Sequence, residues 1–170
     1  MGGVLIGHAS LSGGTSSYRW GENALDVSNS NDQIGIGFRA LEVSTGTGRN
    51  VAIGNLTLSS NTSGVQNIGI GGVSLASNTT GLRNIAIGEA ALGTATGATR
   101  NVAVGLSALG QVTTSANNVA VGEQAMGFST TASNNVAVGS GAMSSSNGND
   151  NVVIGLNAMP DNTGSNNTMV

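Results

Sequence analysis

Apolar and polar positions follow one recurring figure along nearly the whole chain: Asn, apolar, small, apolar, Gly, two variable residues, Ala, then Leu or Met. Clear copies read NVAIGNLTL from Asn50, NIGIGGVSL from Asn67, NIAIGEAAL from Asn84 and NVAVGLSAL from Asn101. NVAVGEQAM from Asn118, NVAVGSGAM from Asn135 and NVVIGLNAM from Asn151 continue the series. Weaker copies precede them: GVLIGHASL from Gly3, SYRWGENAL from Ser17 and QIGIGFRAL from Gln33. Two-residue alternation of β-branched side chains, as in Val51 and Ile53 or Ile85 and Ile87, signals a short strand. A second short apolar stretch ends in Leu58, Leu75, Leu92, Leu109, Met126, Met143 or Met159, and Ser/Thr/Asn/Gly-rich stretches such as SSNTSG read as turns. Each unit is therefore expected to hold two short strands and two turns.

Stacking these units gives each column a role. The glycine column runs Gly7, Gly21, Gly37, Gly54, Gly71, Gly88, Gly105, Gly122, Gly139 and Gly155, with steps of 14, then 16, then 17 residues repeated, and finally 16. A glycine there marks a bend or a backbone approach too close for a Cβ. Asn50, Asn67, Asn84, Asn101, Asn118, Asn135, Asn151 and Asn167 are expected to stack as an amide ladder. Thr45, Thr62, Thr79, Thr96, Thr113, Thr130 and Thr163 form a further column in the long turn. Helical repeats need units about twice this long, and Gly with β-branched residues disfavours helix. The expected fold is all-β: a parallel β-roll, or β-solenoid, of about ten 14–17-residue coils. It forms one domain over 1–170, with weakly matching coils in 1–49, regular coils in 50–166 and an incomplete coil in 167–170. Strands about 4.7–4.9 Å apart make this a rod roughly 45–50 Å long. With Val, Ile and Leu expected inside, one coil buries too little apolar surface to offset its ordering. The smooth Ala/Gly face between the Val and Ile positions is then the surface expected to meet another chain.

Composition narrows the function. Charged residues are 8% and aromatic residues 2% of 170, too few for the charged skin and aromatic core of an ordinary globule. A net charge of −3 offers no basic footprint for nucleic acid. With no Cys and one His, His8, the chain has no disulfide framework, thiol nucleophile or His-rich metal cluster, and neither metal nor cofactor is expected. No run of about 18 apolar residues could span a bilayer, and the first residues lack a secretory pattern. A particle assembled inside a host and released by lysis would need no such signal.

The copies NVAIG, NIAIG and NVAVG followed by x-x-Ala-Leu resemble the head repeats of trimeric autotransporter adhesins, the YadA-like head, which also occur in phage tail fibres and other virion proteins. The resemblance covers Gly3 to Val170. It implies a left-handed roll, three chains side by side, and a rigid rod that adheres to surfaces. The 17-residue coils exceed the 14–16 common in such repeats and imply a longer outer turn. Anchor, neck and coiled-coil stalk motifs are missing from the sequence, so a virion fibre component for host attachment is the expected function. A head fragment of a bacterial autotransporter is the alternative. The expected partners are two further copies, other fibre or virion proteins at the rod ends, and a host-surface glycan or protein. The sequence reaches Val170 inside an eleventh copy, which predicts an end completed by another protein or a truncated chain.

Catalysis is not expected. A Ser/His pair would have to use His8 in the first coil. Glu22, Glu89 and Glu123 share the position after the glycine, several coils apart, unlike paired glycosidase carboxylates. The Gly-Gly-x-Gly-x-Asp of calcium-binding rolls is absent, and Gly35-Ile36-Gly37 belongs to the repeat rather than to a dinucleotide fingerprint. Arg49, Arg83 and Arg100 all precede a ladder Asn and line one edge, with Gln66 between. Like charges one coil apart call for an anion, such as an acidic or sulfated glycan, or for salt bridges to another chain. Tyr18, Trp20 and Phe38 supply most of the aromatics; they form a sugar-stacking platform, or Trp20, in the Ile column, plugs the rod's end. Ice binding would need two Thr columns, but the second reads Thr47, Gly64, Gly81, Ala98, Ser115, Ala132 and does not persist.

Overall fold

A computed structural model describes residues 7–11, 15–26, 32–45, 48–161 and 163–170. Among them the regular elements are strands alone: β1 (Gly7–Leu11), β2 (Thr15–Trp20), β3 (Ile34–Ile36), β4 (Val51–Ile53), β5 (Ile68–Ile70) and β6 (Ile85–Ile87). They continue as β7 (Val102–Val104), β8 (Val119–Val121), β9 (Val136–Val138), β10 (Val152–Ile154) and β11 (Thr168–Met169). All lie in one 11-stranded sheet in chain order. From β2 onward every neighbour is parallel, with Val51 beside Ile68, Ile85 beside Val102 and Val119 beside Val136. The chain is a β-solenoid whose repeat is mostly 17 residues. The repeat length and the strand of each coil stand as the alternation predicts.

Three expectations are corrected. First, the copy at Gly3 is not a stacked coil: β1 runs antiparallel to β2, with Gly7 beside Arg19 and His8 beside Tyr18, so Gly7 leaves the glycine column. Its opening residues, 3–6, lie outside the described ones. Second, the stretch ending in Leu or Met is a turn, not a strand. Leu58, Leu75, Leu92, Leu109 and Met126 have φ of 52, 50, 51, 49 and 52°. The position two residues earlier (Leu56, Val73, Ala90) and the one before the ladder Asn (Arg49, Gln66, Arg83) are also at positive φ. Three such residues per coil break the extended run and fold the chain back. A non-glycine residue in this region costs about 1–2 kcal/mol. The Leu side chain is fully buried in exchange, and its N–H still reaches the next coil: Leu75 donates to Ala91 O at 3.0 Å and Leu92 to Ala108 O at 3.0 Å. A second strand survives only as bridges joining Leu82, Thr99 and Ala116.

Third, the strand is turned the other way. Ala52, Ala86, Ala103, Ala120 and Ala137 point inward and are fully buried, while the flanking Val and Ile face outward. Space decides this. The opposite wall already sends in the Leu/Met column and a second small column, Ala91, Ala108, Ala125 and Ala142. A Cβ added at Gly69 would lie 2.6 Å from Thr57 Cγ2, so glycine sits where the facing wall carries Thr in place of Ala. The core is a narrow file of Ala, Leu and Met rather than a Val/Ile core.

The glycine column behaves as expected. Gly105 has φ +133°, and a Cβ there would lie 2.5 Å from Gly122 O. Neighbouring coils touch backbone to backbone at that corner, and only glycine fits both the angle and the approach.

Candidate functional site

The interior holds the Asn ladder. Asn67 N–H and Nδ2 both donate to Asn50 Oδ1, and Nδ2 also donates to Gly81 O at 2.8 Å. The pattern repeats through Asn84, Asn101, Asn118, Asn135, Asn151 and Asn167. Asn50 to Asn151 are fully buried, so their amides join coils and offer nothing to a ligand. A second buried column escaped sequence reading: Ser44, Asn61, Asn78, Ala95, Val112, Ser129 and Ser146, three residues after the Leu/Met column. Its mixed polar and apolar identity hides it, although Asn61 and Asn78 pair at 2.7 Å. The Thr column forms from Thr45 to Thr130: Thr62 Oγ1 donates to Thr79 O and Thr79 Oγ1 to Thr96 O, both at 3.0 Å. Asn147 takes the next place, where its Oδ1 accepts from Thr130 N–H. These hydroxyls are engaged with the next coil, unlike a free array facing ice; Thr47 of the supposed second column lies outside the described residues.

The outward face of the sheet is the surface that stands out. Ile34 and Ile36, Val51 and Ile53, Ile68 and Ile70, and their successors to Val152 and Ile154 form two adjacent apolar files along its length. Ile53, Ile87, Val121 and Ile154 are exposed by 36–42%. Tyr18 and Trp20 extend the same two files at one end, exposed by 54% and 53%. Trp20 therefore does not plug the core; it prolongs the outer stripe.

Charged residues border this stripe. Arg49, Arg83 and Arg100 are exposed on the side where the chain enters the strands, and Arg83 Nε donates to Gln66 Oε1 at 3.1 Å. Asn117, Asn134 and Asp150 extend that border as a side-chain ladder. Glu89 and Glu123 are exposed on the other border, after the corner glycine. Among the described residues the ion pair is Arg39 with Glu42 at 2.6 Å, beside Phe38. The structure brings the three Arg to one edge but leaves Tyr18 and Trp20 on the adjoining face, so the predicted glycan contacts do not form one cluster.

A shallow groove of about 330 Å3 on another side is lined by Ala90, Gly93, Ser107, Gly110 and Phe128, among others. Its lining has no ionisable side chain and so no group for acid–base chemistry. Among the described residues no three His, Cys, Asp or Glu gather as a metal site, and no helix is long and apolar enough to cross a membrane. No family model, curated protein or solved structure matches the chain.

Proposed function

We propose that this chain is a non-enzymatic structural rod that packs side by side with copies of itself, as a fibre component of a virion whose task is host-surface attachment. The observation that carries the reading is the double file of outward-facing, partly exposed Val and Ile along the sheet. Large contiguous apolar surfaces mark partner sites on soluble proteins. A solenoid has no second layer of its own to cover such a face, so lateral association supplies it. The repeat resemblance adds three as the number of copies, and the head of a bacterial adhesin as the alternative setting.

Light scattering on the parent chain tests this, with three copies expected. Ile87→Asn with Val104→Asn and Val121→Asn should shift the mass to a monomer while the β circular dichroism persists, because these side chains face outward. A monomeric parent chain overturns the reading. Imaging whole particles with a tag on this chain tests the location.

A further inference from the structure

We infer that the charges bordering the apolar stripe set the direction of assembly: neighbouring copies run parallel and level, with the Arg83/Arg100 border of one against the Glu89/Glu123 border of the next. The inference rests on the lateral association proposed above and specifies its geometry.

Arg83 precedes β6 and Glu89 follows it, so both belong to one coil at opposite borders of the sheet face. Arg100 belongs to the next coil, and Glu123 to the one beyond. Each border is a continuous stack: Arg83 N–H donates to Val65 O and Arg100 N–H to Leu82 O, while Glu89 O accepts from Ser107 N–H and Glu123 O from Gly141 N–H. Charge heights are therefore fixed in steps of about 4.7–4.9 Å. When two copies lie parallel and level with their faces together, the entering border of each meets the leaving border of the other. Arg83 then stands level with Glu89 of the second copy, and Arg100 falls between its Glu89 and Glu123. The antiparallel alternative sets like borders together. With full overlap it puts Arg83 against Arg100 of the second copy and Asp32 against Asp150. Asp32, Arg49 and Asp150 share the Arg border and Glu22 lies on the Glu border. In the parallel arrangement Glu22 falls one step from Asp32 of the second copy, while Arg49 and Asp150 stand level with its Asn55 and Leu156. Arg83, Arg100, Glu89 and Glu123 take no part in an ion pair within the chain among the described residues. Rim charges of this kind choose orientation and partner more than they add affinity.

The test exploits the absence of Cys. Asn134→Cys and Ser140→Cys, exposed on opposite borders of β9, are placed on separate copies and mixed under mild oxidation. A disulfide between positions 134 and 140 is expected from parallel, level copies. Mixing Asn134→Cys with Arg49→Cys reports the antiparallel arrangement instead, and a disulfide there overturns the inference. In parallel, Arg83→Glu with Arg100→Glu should weaken association about tenfold at low ionic strength, with the loss shrinking near 1 M salt, where screening acts within about 3 Å. Adding Glu89→Arg and Glu123→Arg to the same chain should restore it. Association unchanged by the Arg substitutions at low salt overturns the inference while leaving the association itself standing. A monomeric parent chain overturns both.

Discussion

The coil begun at Gln33 and the coils from Asn50 onward share one path but differ at the ladder position. In the regular coils each Asn Oδ1 accepts both the N–H and the Nδ2 of the Asn above it, as Asn84 does from Asn101. Gln33 is one methylene longer. Its Nε2 reaches Ser44 Oγ at 2.9 Å, but its buried Oε1 finds no partner, and the ladder starts only above it. The difference teaches that the ladder tolerates one side-chain length: an amide carried further out no longer meets the backbone N–H of the next coil. The outer face shows no such discrimination. Tyr18 and Trp20 take the same register as Ile34 and Ile36 and stay about half exposed, since an outward-facing file sets no fixed side-chain size.

The largest way to break the regular region is at its corner. Gly105→Val places a branched side chain where even a Cβ would lie 2.5 Å from a carbonyl, at φ +133°. A loss above about 4 kcal/mol, read as a collapse of thermal stability, is expected. Gly155→Ala is its control. A Cβ there meets only Ala158 Cβ at 3.4 Å, so just the φ strain remains and the loss should be far smaller. Equal melting temperatures for the two would refute the close-approach account.

Next comes the ladder. Asn101→Ala removes the acceptor of Asn118 N–H and Nδ2 and the donor to Ser115 O, all inside the rod. About 3–5 kcal/mol should be lost in denaturant unfolding. Gln33→Asn should act in the opposite sense and sharpen the contrast. It extends the ladder by one step at the expense of the Ser44 contact, for a gain of up to about 1 kcal/mol; destabilisation would show that Gln33 is fitted to its coil. The smallest effect is expected at Thr131→Ala, exposed in the outer turn and within about 0.5 kcal/mol of neutral. Ser129, two residues earlier, is fully buried, and its hydroxyl donates to Met143 O, so Ser129→Leu should be felt where Thr131→Leu is not.

Much of the fold was legible because the repeat writes the same constraint many times. Gly54 to Gly139 and Asn50 to Asn151 could be read as columns before any coordinate, and each does what its chemistry requires. The positive-φ positions were harder. Asn23, Asn117, Asn134 and Asn157 hint at them, since Asn enters that region more readily than most residues. Leu56 and Arg83 in the same columns mask the signal, and the Leu92 column, all Leu and Met, carries none, because long-range stacking rather than local preference holds them there. The charged borders were half visible: the Arg edge is read from spacing, but its opposition to Glu89 and Glu123 across an apolar face needs the face itself.

Repeat length, parallel stacking, the corner glycines and the amide ladder were thus determined by the sequence, because each depends on one residue type recurring at one spacing. Which side of the strand faces inward was decided only by the tertiary structure. Alternation of Val, Ala and Ile defines two faces without ranking them. The width of the coil ranks them: with Leu or Met and a small residue entering from the far wall, the inward place is taken by Ala or Gly from Gly35 to Ala137, and by Val153 in the coil begun at Asn151.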